Sequence, residues 1–212
     1  MLTLLLLVLF LVVAGAMWLQ GLWNSVVTLV NLILAIMVAF NYFEPLADTL
    51  EAQDPSYTYL LDFLLLWGLF ALSFGLLRMM TDILSRRKVA FDFWTETIGR
   101  SVVAVWIAWL FVGFVCATLH TAPLSAHFLG FQNTPTSGNF LGMAPGRQVL
   151  AFIQSRSMGS FSHPESDPAR RSPRSEDEDR DARIFDPESE FILKYRQRRQ
   201  NFEDEPSFRV AR

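Results

Sequence analysis

Four apolar runs, at residues 2–19, 22–43, 57–77 and 101–119, leave this chain few folds to adopt. Each is close to the roughly 20 residues an α-helix needs to cross a hydrocarbon core about 30 Å thick. Inside such a core every backbone N–H and C=O must be satisfied within its own segment, so each run is expected to be a helix. The fold class is therefore an all-α integral membrane protein with four transmembrane helices in two hairpins. A short amphipathic segment and a largely disordered, charged tail follow.

Orientation comes from the cations. Arg78, Arg86, Arg87, Lys88 and Arg100 are the only Lys or Arg in residues 1–118, and they cluster between the third and fourth runs. Short Lys/Arg-rich loops stay cytoplasmic. The turn at Gln20-Gly21 is then also inside. The N-terminus, the loop Glu44–Ser56 and everything after Leu119 are outside, so both termini are expected to be extracytoplasmic. The charge of the tail does not oppose this, because long terminal segments cross largely regardless of charge. Ala14-Gly15-Ala16 has the small-x-small form of a signal-peptide cleavage site. A signal peptide carries a positive n-region, and no Lys or Arg precedes Arg78, so a retained first helix is expected.

Polar residues inside the runs are few. Asn24, Thr28 and Asn31 share one face of the second run. They read either as a polar track or as helix–helix adhesion, and the second is the commoner use of such residues in membranes. Asp62 is the only Asp or Glu in any of the runs. An ionisable residue there is a candidate functional group, although its place one turn inside the third run also lets it reach the headgroups. Gly68, Ala71 and Gly75 give that helix small surfaces for close approach, as Ala104 and Ala108 do in the fourth. Glu44, Asp48, Glu51 and Asp54 make the first loop acidic, without the glycine and spacing of a calcium loop. Phe91, Phe93 and Trp94 beside the basic loop suit an interface with anionic headgroups, making the lipid bilayer rather than a nucleic acid the expected partner.

Beyond the runs, residues 120–161 form an extracytoplasmic segment. Within it, Pro145 to Arg156 reads as a short amphipathic helix with Val149, Leu150, Phe152 and Ile153 on its apolar side. It is too short to span, and is expected to dock on the membrane surface or on the helix bundle. Residues 162–185 are charged and rich in Pro and Ser, and read as a disordered linker. Residues 186–203 form a conditional helix. Asp186-Pro187-Glu188 resembles a helix start, Lys194, Arg196, Arg198 and Arg199 follow toward its C-terminal side, and Phe191, Ile192, Tyr195 and Phe202 give a weak apolar face. Such a helix is marginal alone in water and needs a membrane or a partner.

The chain has no Gly-rich phosphate loop, no HExxH and no GxSxG, and its single cysteine, Cys116, lies inside an apolar run. His120, His127 and His163 are scattered and lack a third ligand. The expectation is a protein that is not an enzyme and holds no metal or cofactor. The rival class is a small oligomeric channel or transporter subunit, in which Asp62 and the Asn24/Thr28/Asn31 face line a path.

The order of these features resembles the colicin V production protein (CvpA) family over residues 1–119. Gly21-Leu22-Trp23 stands at its tight turn, Arg86-Arg87-Lys88 in its basic loop, and Thr97-Ile98-Gly99-Arg100-Ser101 at its entry to the fourth helix. Gly21 and Gly99 are the packing glycines of those two positions. The sequence departs from the family where Gln20 and Leu22 flank the turn glycine without a basic residue, and where the glycine-rich entry is thinned to Gly99. The resemblance implies a bacterial inner-membrane protein. It implies an accessory role in colicin V or toxin production or export and in envelope maintenance, with no catalytic residues. The expected partners are an unidentified membrane or periplasmic protein and further copies of the chain itself.

Overall fold

The computed structural model describes residues 1–51, 58–84, 92–122, 128–131, 138, 140–157, 185–186 and 189–204. Four long helices dominate: α1 (Leu2–Gln20), α2 (Leu22–Glu51), α3 (Thr58–Leu84) and α4 (Phe93–Thr121). All four are long and apolar enough to cross a membrane. A 3-10 turn at Phe128–Gly130 precedes α5 (Pro145–Ser157), and α6 (Phe191–Asp204) closes the described chain.

Three ends of the four long helices lie well away from the expected ones. α2 runs on to Glu51 through Pro45 and absorbs Glu44 from the expected loop. Proline removes one backbone hydrogen bond from a helix interior, but Phe43 and Ala47 are buried on either side of it, so packing carries the helix past. α3 continues past Leu77 and takes in Arg78. α4 begins at Phe93 instead of Ser101, so Gly99 and Arg100 are helical. Hydropathy marks where a helix leaves hydrocarbon. Backbone hydrogen bonding does not stop there, and Arg78 and Asp82 form an i,i+4 ion pair at 3.1 Å that suits a helix continuing into polar surroundings.

Gly21 is the whole connection between α1 and α2. Its φ of 84° is left-handed, where only glycine sits without strain. The first N–H of α2, on Leu22, has no partner within its own helix. Glu96 of α4 supplies one, accepting it on Oε1 at 2.7 Å. The same oxygen would lie 3.1 Å from a Cβ on Gly21. Gly21→Ala is expected to cost about 1–2 kcal/mol, from the left-handed backbone alone. A thermal midpoint in detergent equal to that of the unaltered chain would refute this.

The connectivity makes hairpins, but the strongest packing is between α1 and α4 and between α2 and α3, with α4 also against α2. Phe70 stacks on Phe114 at 4.3 Å, and Phe40 meets Phe114 edge-on at 6.0 Å, tying α2, α3 and α4 into one aromatic core. A second cluster joins Leu2 and Leu6 of α1 to Val112 and Cys116 of α4, with Phe131 and Phe140 laid over them. The outward faces carry Leu4, Leu5, Val8, Leu11 and Val12 on α1, and Leu64, Leu72, Leu76 and Met79 on α3. Exposed apolar area on that scale marks a surface for a membrane or a protein partner.

α5 lies against α4. A Cβ on Gly113 would stand 2.5 Å from the Val149 side chain and 3.0 Å from the Pro145 carbonyl oxygen. One on Gly146 would meet the Ala117 nitrogen at 3.1 Å. The two backbones approach closely because neither crossing point has a side chain. Of the two docking places the sequence allowed for this segment, α5 occupies the helix bundle. The expected linker lies outside the described residues except at its end, where Phe185 is buried 5.5 Å from the Phe40 ring. Its amide donates to Ser157 Oγ at 3.0 Å.

Candidate functional site

Among the described residues, two polar clusters interrupt the apolar bundle, one at each end. At the end holding Gly21, Asn31 donates to Thr81 Oγ1 at 2.9 Å, joining α2 to α3. Arg78 donates to Thr28 Oγ1 at 2.8 Å. Thr28 in turn donates to the Asn24 carbonyl, and Asn24 to the Gln20 carbonyl at 3.3 Å. The polar face of α2 is therefore occupied by α3, except at Asn24, whose amide bonds back to the end of α1. Arg100 lies over the Trp18 ring at 4.1 Å, and Trp18 donates to Ser101 Oγ at 3.2 Å, linking α1 to α4. Gly99 is pressed against Leu22, 2.9 Å from where its Cβ would be. Arg86, Arg87 and Lys88 lie outside the described residues.

Gly68, Ala71 and Gly75 do not pack against another described helix of this chain. All three are exposed, and nothing lies within 4 Å of a Cβ placed on either glycine. α3 turns Leu66 and Phe70 inward, and the small residues fall on the opposite face with Leu64 and Leu72. The close approach expected of them is made instead by Gly113 and Ala117, which have the same small-xxx-small spacing in α4 and face α5.

The opposite end carries the denser cluster, and α6 builds it. Asp62 of α3 is only 3% exposed. Arg198 donates to its Oδ2 at 2.5 Å, 136 positions along the chain. Tyr195 also hydrogen-bonds Asp62 through its side chain. Burial, reinforced by the negative charges of Asp62 and Glu44, pushes the Tyr195 phenol well above its ordinary range, so it stays protonated as a donor. Lys194 pairs with Glu44 of α2 at 2.8 Å. Arg199 reaches the C-terminal end of α4, where its Nη2 donates to the carbonyls of Leu119 at 2.8 Å and Ala122 at 2.9 Å. Those carbonyls lack partners within the helix, and the helix dipole favours a cation beside them.

Beneath the charges lies an aromatic contact. Phe191 sits 5.9 Å from Phe40, 6.3 Å from Phe43 and 5.6 Å from Phe185. Asp186 caps α6 from outside it, accepting the N–H of Glu190 at 2.7 Å and of Phe191 at 3.1 Å. The helix thus starts later than Asp186-Pro187-Glu188 suggested, because the Asp186 carboxylate turns back onto the first turn with φ at 48°. Burial raises the Asp186 carboxyl from its ordinary value, against the pull of those two hydrogen bonds.

The sequence singled out Asp62 but none of its partners as site residues. Lys194, Arg198 and Arg199 were legible as helix-terminal cations, Glu44 as one acid of a loop, and nothing in their spacing linked them. Among the described residues no three His, Cys, Asp or Glu side chains are grouped to hold a metal. His120 is buried with its ring 4.9 Å from that of Phe131. The arrangement binds a helix.

The family model described as Colicin V production protein matches residues 2–145, a range that holds α1 to α4 and ends at the first residue of α5. No curated protein and no solved structure matches the chain.

Proposed function

The chain belongs to the colicin V production protein family, and on that premise we propose a non-enzymatic accessory role in toxin production or export and envelope maintenance, carried out through protein contacts. The observation that supports this reading is the state of Asp62. The only acid within the apolar runs is covered by the chain's own tail helix, through Arg198 and Tyr195. An acid in that state organises a docking surface. An acid serving a conduction path would instead face an aqueous cavity.

The proposed setting is the bacterial inner membrane, with the Gly21 end cytoplasmic. Arg78 and Arg100 lie at that end with the Arg86-Arg87-Lys88 loop between their helices, as the positive-inside rule favours. The α6 cluster and both termini are then extracytoplasmic. Protease added to intact spheroplasts is expected to cut within residues 162–183, and protection until lysis would reverse the topology. Vesicles carrying the purified chain are expected to leak ions and small solutes no faster than protein-free vesicles. A leak that Asp62→Ala alters would replace the accessory reading with an oligomeric channel.

A further inference from the structure

We infer that the Asp62 end of the bundle is a receptor groove for a basic, aromatic amphipathic helix, which α6 fills in cis and a partner protein's helix of like pattern fills in trans. The inference deepens the accessory reading by giving the partner's chemistry, and it rests on that reading only for where the partner would act.

The groove has three parts, each contributed by a different helix. α2 supplies an aromatic floor in Phe40 and Phe43 and an acid in Glu44. α3 supplies a second acid, Asp62. α4 supplies the carbonyls at its C-terminal end, Leu119 and Ala122. The occupant answers all three from one face. Phe191, Ile192 and Tyr195 are buried on the floor, and Arg198 and Arg199 meet the second acid and the carbonyls. Those positions follow i, i+1, i+4, i+7 and i+8, the stripe of a single amphipathic face. This is helix-in-groove recognition, with apolar anchors for affinity and charges for register.

Two further observations separate groove from occupant. Every groove residue named falls within the family match over residues 2–145, whereas α6 begins at Phe191, beyond it. The family portion of the chain therefore carries an acid-lined groove whose present occupant lies outside that portion. In addition, α6 has 14 residues, a length at which an isolated helix is marginal in water, so its helicity depends on the groove. Such an element is suited to exchange with a competitor of the same pattern, since on leaving the groove it regains the conformational entropy spent in ordering the helix.

The test uses the full chain in lipid nanodiscs, with a protease site inserted between Ser172 and Pro173. After cleavage, the tail fragment is expected to stay bound and then to be displaced by excess fluorescent peptide spanning residues 185–204. Asp62→Asn in the bundle is expected to weaken peptide binding about thirtyfold or more, as loss of one partner of a buried charge pair does. A peptide carrying Arg198→Glu and Arg199→Glu is expected not to bind the unaltered bundle, and this arm leaves the bundle's own folding untouched. Three results would overturn the inference. The cut fragment stays locked and never exchanges; the peptide fails to bind once the fragment has left; or the charge-reversed or a scrambled peptide binds as well as the natural one. Because the readout is helix binding alone, a negative toxin-export phenotype with normal exchange would remove the accessory role and leave the groove standing.

Discussion

Asp62→Ala is expected to lower the stability of the folded protein by about 3 kcal/mol and to release α6 from the bundle. The Asp62 side chain is 4% exposed and that of Arg198 23% exposed. Removing one partner of a buried pair typically costs about 3–5 kcal/mol, because the other charge is left without compensation. Arg198 retains some access to water, which moves its share toward the low end of that range. Tyr195 loses an acceptor as well, at about 1 kcal/mol. Replacing both members, Asp62→Leu with Arg198→Leu, is expected to recover most of the loss, since neither charge is then stranded. The measurements are thermal unfolding in detergent and hydrogen exchange of the α6 amides. Unchanged α6 protection in Asp62→Ala would refute the role assigned to this pair. Equal losses in the single and double variants would mean that the lost attraction between the two charges, and not the stranding of Arg198, sets the cost.

The second large effect lies at the α4–α5 crossing. Gly113→Leu is expected to cost about 3 kcal/mol and to lift α5 off α4. A Cβ there would meet the Val149 Cγ2 at 2.5 Å and the Pro145 carbonyl oxygen at 3.0 Å, and the second contact is backbone that no rotamer change relieves. The readout is built into the chain. Cys116 is its single cysteine, buried beside Gly146, which would bring a Cβ within 3.2 Å of the Cys116 side chain. Separation of α5 should therefore speed maleimide labelling of Cys116 several-fold in detergent. Gly146→Leu should do the same from the other side of the crossing. Gly113→Ala combined with Val149→Ala should recover part of the loss, because the shorter side chain removes the 2.5 Å contact. Labelling at the unaltered rate in both leucine variants would show that the two backbones are not held at the distance described.

These two sites mark where the sequence was informative and where it was not. Asp62 stood out because an acid is conspicuous among apolar residues, whatever it touches. Arg198 did not, because a cation in a charged tail is unremarkable until its partner is known, and no local period connects positions 136 apart. Gly68, Ala71 and Gly75 show the opposite case. Their spacing is that of a packing face, yet the inward face of α3 was taken by Leu66 and Phe70. Gly113 and Ala117 carried the same spacing and were used. Small-residue spacing says that a close approach is permitted; which permitted face is used depends on the helices that arrive.

The four described helices long and apolar enough to cross a membrane, and the turn at Gly21, were determined by sequence alone. Hydrocarbon thickness and backbone satisfaction are one-dimensional constraints, met or missed by counting apolar residues along the chain. Where each helix ended, which helices packed together and what covered Asp62 were decided only in the tertiary structure. α2 passed Pro45 because buried neighbours outweighed one lost hydrogen bond, α5 seated on α4 because two glycines let the backbones meet, and α6 formed over a groove that three distant helices assemble. Each outcome depends on surfaces supplied by other parts of the chain, which no stretch of residues contains by itself.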